Sequence, residues 1–254
     1  MRHLGKTPVA VALALLAASM VPAWASDPAP RATSHTCVAH PARSTRLPGP
    51  TRILFMGDSI TGNVLVDGNG QRLFERHGFE VQRSATPGFG LLDDPQHGYR
   101  DEMALRVAGF DPDVVVLEFI GNYHAFGDPG LPGVEIDTPA FYAAWQAEAE
   151  SVTRRAVARG AQVFWVLGPA VGIAESWRDR VHVIAKGYQD IGAALCDTHY
   201  VDAFQAIGDP WVSSPLRTPD GVHLTAEGGA ALAGAIFERV VASSGVAIAP
   251  VLSG

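Results

Sequence analysis

Ser59 stands in the run Gly57-Asp58-Ser59-Ile60-Thr61, directly after a short apolar stretch. A serine hydroxyl is a weak nucleophile until a base takes its proton, so Ser59 matters chemically only with an imidazole in reach. Nine histidines are present, and Asp-x-x-His occurs three times: Asp94/His97, Asp179/His182 and Asp220/His223. The motif by itself does not separate the three. Asp179 and His182 fall at i, i+3 on an amphipathic helix pattern, the arrangement of a solvated face. Asp94 and His97 lie in a proline-interrupted loop that can border a pocket. Asp220 and His223 lie in a loop before the last helix pattern. From there an imidazole can be presented to a crevice, and the three-residue separation lets Asp220 reach its Nδ1.

Two further segments carry groups suited to a developing negative charge. Gly121-Asn122 closes an apolar run, and an Asn amide can donate to an oxyanion. Pro87-Gly88-Phe89-Gly90 closes another, and glycine lets a backbone N–H approach a ligand closely. Each also has a plain structural reading. Gly-Asp-Ser is an ordinary turn with a helix N-cap, Asn122 suits a tight turn, and the glycines suit a strand-to-helix connection. The chemical reading rests on convergence.

That convergence depends on the elements that must position these residues. Apolar runs rich in β-branched residues at 52–56, 79–85, 113–120, 161–167 and 200–204 read as strands, the last being the weakest. Near-continuous apolar runs of this kind suit a parallel sheet covered on both faces. Helix patterns alternate with them. Thr138-Pro139 is an N-cap with proline at the first helical position, and Gly160 stops that helix. Residues 176–195 place Val181, Ile184, Tyr188, Ile191 and Leu195 on one stripe. Thr225 can cap a final helix, with Glu227 in its first turn. The alternation predicts an α/β fold, a three-layer α/β/α sandwich on a five-stranded parallel sheet. The flavodoxin-like order 2-1-3-4-5 would make the ends of the first three strands neighbours at the carboxyl edge, where open α/β sheets bind ligands. Ser59, Gly88 and Asn122 would then face one crevice.

The ordered set of Gly57-Asp58-Ser59-Ile60, a glycine after the second strand, Gly121-Asn122 after the third and Asp220-x-x-His223 near the carboxyl end resembles the four blocks of the SGNH (GDSL-type) hydrolase superfamily of esterases and lipases. The resemblance covers roughly residues 51–240. It implies a Ser59-His223-Asp220 catalytic triad, and an oxyanion hole made of the Ser59 and Gly88 N–H groups with the Asn122 side chain. Gly90 competes with Gly88 for that role. Gly88 follows Pro87 and matches the usual block placement. His223 would take the Ser59 proton as Oγ attacks an ester carbonyl. Asp220 would hold the imidazole tautomer and stabilise the imidazolium, and water would release the acyl group. This chemistry requires no cofactor. Tyr123-His124 departs from the family pattern and leaves the acyl pocket undefined. Phe119 and Phe126 flank that block and could line the pocket, whereas Trp145, Trp165, Trp177 and Trp211 read as core or rim.

The rest of the chain sets the context. In its 254 residues, 47% are hydrophobic, enough for a sizeable core in one domain. Arg2 and Lys6, the uncharged run of 13 residues from Val9 to Val21, and the small-x-small site Ala23-Trp24-Ala25 read as a secretory signal peptide over 1–25. The run falls short of the roughly 20 residues a membrane-spanning helix needs. Residues 26–50, with prolines at 28, 30, 41, 48 and 50, read as a leader to a domain over 51–254. Removing Arg2 and Lys6 from 19 basic residues leaves 17 against 26 acidic ones, a net charge of −9. Such a surface disfavours nucleic acid and anionic membranes as partners, so the expected partner is a small-molecule, lipid or glycan ester. Cys37 and Cys196 are the only cysteines, and in an oxidising compartment they are expected to pair as a disulfide. Neither has the companions of a metal site.

Other classes fit less well. A metallophosphoesterase would need an Asp-x-His ahead of Gly57-Asp58, and the only one, Asp197-Thr198-His199, comes late in the chain. A dinucleotide site would need a third glycine where Asp93 stands, and after the first strand rather than the second. An O-acetyltransferase acting on a carbohydrate would use the same triad and stays open as the alternative to hydrolysis. A catalytically silent glycan-binding module would have no use for Ser59, His223 and Asp220 together.

Overall fold

A computed structural model describes residues 49–93, 99–123, 130–168, 175–208 and 214–244. Five strands form one parallel sheet: β1 (Thr51–Gly57), β2 (Phe79–Ala85), β3 (Val114–Glu118), β4 (Gln162–Leu167) and β5 (Thr198–Asp202). Their order is β2-β1-β3-β4-β5, the flavodoxin-like order expected. The register sets Gly57 beside Ala85 on one side and beside Glu118 on the other. Three strand ends therefore meet at one carboxyl edge.

Alternation along the central strands divides the core. Leu54, Met56, Val115, Leu117, Val163 and Trp165 point to one face. There they meet α3 (Tyr99–Phe110), α4 (Pro139–Val157) and α5 (Glu175–Ala194) through residues such as Val107, Trp145 and Tyr188. Ile53, Phe55, Val114, Val116, Phe164 and Val166 point to the other face. They pack against α2 (Gly70–Arg76) and α7 (Ala226–Ser244) through Phe74, Leu232, Ile236 and Val240. A period of two with both faces buried is what the apolar runs demanded. The result is the α/β/α sandwich.

Local signals explain the helix ends. Thr138 Oγ1 accepts from Phe141 N at 3.2 Å, capping α4 ahead of Pro139. Thr225 Oγ1 accepts from Gly228 N at 3.2 Å, capping α7. One expectation needs correction. Ala203 and Phe204, read as the end of the last strand, open the short helix α6 (Ala203–Ile207) instead. Asp202 ends β5 and caps α6, its side chain accepting from Gln205 N. A helix of one turn is too short to show a 3.6-residue period in sequence.

The expected signal peptide, the 26–50 leader up to residue 48 and Cys37 lie outside the described residues. So do Asp94, His97, His124, Phe126 and Trp211.

Candidate active site

The turn after β1 is built to expose Ser59. Asp58 is extended and accepts from Ile60 N at 2.9 Å, which starts the short helix α1 (Ser59–Gly62). A π-helical turn (Asn63–Asp67) continues it. Gly57 is required at the turn: a Cβ there would lie 2.1 Å from Thr61 Oγ1 and 2.2 Å from the Glu118 carbonyl oxygen. Ser59 is thus carried to the rim of the sheet while Asp58 turns inward, fully buried.

His223 reaches Ser59 from the opposite end of the chain. Residues 216–225 form a small antiparallel loop closed by the Arg217–Leu224 bridge. Thr218 N donates to the His223 carbonyl, and Thr225 N to that of Leu216. Asn63 ties this loop to the nucleophile turn, its Oδ1 accepting from Leu224 N at 3.2 Å. Across that junction His223 Nε2 stands 3.0 Å from Ser59 Oγ. On its other side His223 Nδ1 lies 2.7 Å from Asp220 Oδ2. The carboxylate keeps the ring proton on Nδ1, which leaves the Nε2 lone pair facing the serine hydroxyl.

Asp220 is itself held. Its Oδ1 accepts from Thr218 Oγ1 at 2.6 Å, Val222 N at 2.8 Å and His223 N at 3.0 Å. Slight burial works to raise its carboxyl, but these donors together with His223 outweigh it and keep the group well below the usual carboxylate range. A charge beside the imidazole therefore persists into acid.

The neighbouring strands β3 and β2 lead into the segments that carry Asn122 and Gly88. Asn122 Nδ2 donates to Asp58 Oδ2 at 3.1 Å, and the same oxygen accepts from Ile120 N at 3.0 Å. An amide nitrogen carries two hydrogens, so one fixes the side chain and the second is left for a ligand. Gly90 approaches the same turn so closely that a Cβ there would lie 1.6 Å from the Asn122 carbonyl oxygen. Its N–H is spent on Asp93 Oδ2, at 2.7 Å. The N–H groups of Gly88 and Ser59 take no partner among the described residues. Of the two competing glycines, Gly90 is the one whose N–H is already taken among the described residues.

The other Asp-x-x-His pair that is described has no such setting. His182 is exposed on α5, stacked on Phe204 at 4.9 Å between ring centroids. Phe119 is buried against Trp165 in the core. Tyr123 is also turned inward, where its hydroxyl donates to the Val134 carbonyl and accepts from Leu131 N.

Two groups around the site gave little sign of themselves in sequence. Arg180 on α5 is buried, donates to the Gly121 carbonyl at 3.1 Å and forms a two-pronged pair with Asp137. Trp177 Nε1 donates to the Ile120 carbonyl at 3.1 Å. Together they pin the backbone that carries Asn122. Arg180 lies just off the apolar stripe of its helix, and on sequence it reads as a surface residue. The second group is Glu118, the buried acid at the end of β3.

Solved structures share this architecture. A lipase/acylhydrolase from Enterococcus faecalis is similar at TM-score 0.54 and 20% identity, over 75% of this chain and 95% of that one. An acetylxylan esterase from Geobacillus stearothermophilus, solved as a catalytic mutant, is similar at TM-score 0.56 and 15% identity, over 76% and 95%. The psychrotrophic esterase EstA from Pseudoalteromonas sp. is similar at TM-score 0.54 and 12% identity, over 75% and 96%. At such identities the likeness is one of fold, that of the SGNH hydrolases. None of the curated protein sequences matches the chain. A family model does match, that of the proteins of unknown function DUF459, over residues 52–239. That span holds every block of the site described above, and the chain belongs to the DUF459 family, built here on the SGNH hydrolase fold.

Proposed function

We propose that the protein is an exported serine esterase that hydrolyses carboxylic esters of short acyl chains, O-acetyl esters included. The observation that carries this reading is the continuous line from Asp220 through His223 to Ser59, with spacings of 2.7 and 3.0 Å. Ser59 Oγ attacks the ester carbonyl carbon while His223 Nε2 takes its proton. The carbonyl oxygen, now negative, is held by the Ser59 and Gly88 N–H groups and the second hydrogen of Asn122 Nδ2. The intermediate collapses, His223 returns its proton to the leaving alcohol, and the acyl group stays on Ser59. Water then attacks with His223 again as base, releasing the acid and restoring the hydroxyl. Asp220 stabilises the imidazolium at each stage.

The acyl preference rests on the solved relatives, among them an acetylxylan esterase and a lipase/acylhydrolase. Export rests on Arg2, Lys6, the apolar run at 9–21 and Ala23-Trp24-Ala25. No helix among the described residues is long and apolar enough to cross a membrane.

A p-nitrophenyl ester series graded by acyl length, with acetylated glycans alongside, tests the reading. Release should be greatest for the shortest acyl chains and should vanish after treatment with a fluorophosphonate. A folded protein that neither hydrolyses any member nor takes the probe is not a serine esterase.

A further inference from the structure

Behind Ser59 lies an acid that the mechanism above does not use. Glu118 ends β3, is 2% exposed and pairs in register with Gly57. Thr61 Oγ1 donates to its Oε2 at 3.0 Å. Its Oε1 is buried and accepts from no donor. The Thr61 N–H also faces the Glu118 carboxyl, and the Asp58 carboxyl shares a hydrogen bond with it.

Two carboxylates cannot hydrogen-bond to each other, so one of the pair must carry a proton. Asp58 already accepts from Ile60 N, Ile120 N and Asn122 Nδ2. Three N–H donors favour a charged acceptor, and its oxygens have little room for a proton of their own. Glu118 has only the hydroxyl and N–H of Thr61, and its Oε1 accepts from neither. The proton therefore sits on Glu118 and is shared with Asp58. Burial raises both carboxyls, and the Asp58 charge adds to it at Glu118, which is pushed well above its usual range.

We propose that Glu118 is a positioning residue for the esterase reaction: as a neutral carboxylic acid it donates to Asp58 and so fixes the carboxylate that aims the Asn122 amide at the oxyanion. The proposal rests on the esterase reading for its chemistry. It assigns Glu118 a task that simple core filling would not require, because an apolar residue of the same size would fill the space and leave Asp58 with one donor fewer. Thr61 serves the same line by holding the other Glu118 oxygen. A donor misplaced by a fraction of an ångström loses its advantage in the transition state more than in the ground state.

The test compares Glu118→Gln, Glu118→Leu and Thr61→Val with the wild type on the best ester of the series. Glutamine keeps a donor for Asp58 and an acceptor for Thr61, so it should retain kcat within about threefold, since the donor is conserved. Leucine should lower kcat by roughly 10- to 10²-fold with KM nearly constant, less than the full loss of an oxyanion donor. Thr61→Val should fall between them. Infrared difference spectra of wild type minus Glu118→Gln at neutral pH should show the C=O stretch of a protonated carboxylic acid. A folded leucine variant with wild-type kcat, a glutamine variant as impaired as leucine, or the absence of that band would each overturn the proposal. Should the leucine variant fail to fold, the glutamine and valine variants and the infrared band still decide. Should the wild type show no Ser59-dependent turnover, the esterase reading fails by itself. The band and the Asn122 side-chain amide resonance, shifted by Thr61→Val and kept by Glu118→Gln, then judge the Glu118 relation alone.

Discussion

The Asn122 side-chain amide donates to the Asp58 carboxylate at 3.1 Å, although 64 positions separate them in the chain. One hydrogen of the amide is thereby committed, and the rotamer of Asn122 is set before any substrate arrives. Preorganised donors of this kind act mainly on the charge that develops in the transition state. Asn122→Ala should therefore lower kcat by roughly 10²- to 10³-fold and move KM much less. Steady-state kinetics on a purified, folded variant would check this. An unchanged kcat would reduce Asn122 to a turn residue.

Ser59→Ala should abolish turnover, by on the order of 10⁴-fold or more, and leave the fold intact. Covalent capture of a fluorophosphonate should disappear with it. His223→Ala should be about as severe, because both residues belong to one proton-transfer line at 3.0 Å. His182→Ala should keep most of its activity, since that ring is exposed on α5 and stacks on Phe204. Equal losses at His182 and His223 would mean that the wrong Asp-x-x-His pair has been placed in the mechanism.

Asp220 gives a prediction with a definite sign. Its folded carboxyl is held below the usual range by Thr218, His223 and the Val222 N–H. A depressed carboxylate contributes stability above its unfolded pKa of about 3.9, and that contribution is lost as pH falls toward the folded value. Asp220→Asn removes the contribution at all pH values. The difference in Tm between wild type and variant should thus be largest near neutrality and shrink below about pH 4. Thermal melts in buffers from neutral to strongly acid would read it. The side chain is half exposed, so solvent screening keeps the difference small. The effect on kcat should be larger, up to about 10⁴-fold, through loss of the required tautomer. A Tm difference that grows in acid would contradict the assigned geometry.

Cys196 lies in the turn after α5, partly buried at the edge of the core. Residues 38–50 separate Cys37 from Thr51, and we propose that the two cysteines pair after export. The bridge would close a loop of 158 intervening residues, for which chain entropy sets a ceiling of about 5 kcal/mol. Titration of denatured, unreduced protein should find no thiol, and reduction should release two. Two thiols before reduction would refute the bridge.

The sequence determined the layers of this protein. The runs in β1, β3 and β4 are long, apolar and β-branched, and such runs are stable only when both faces are covered. Thr138-Pro139 and Thr225 carry their helix starts in their own side chains. The members of the site were also legible as residue types, because Gly-Asp-Ser, Gly-Asn and Asp-x-x-His each sit at an element end. The tertiary structure decided which of them meet. The Asp-x-x-His motif alone does not separate its three occurrences, and the tie between Asn63 and Leu224 helps bring His223 to Ser59. Gly88 and Gly90 are two residues apart, and only the Asp93 carboxylate shows that the Gly90 N–H is already taken. Glu118 was the least legible. Inside the apolar run 113–120 an acid gives no sign of its role, and its burial is set by β1, by Asp58 and by Thr61, 57 or more residues away in the chain. Hydrophobic period and capping are local and survive in one dimension. The protonation of a carboxyl and the aim of a donor depend on neighbours that only the closed sheet supplies.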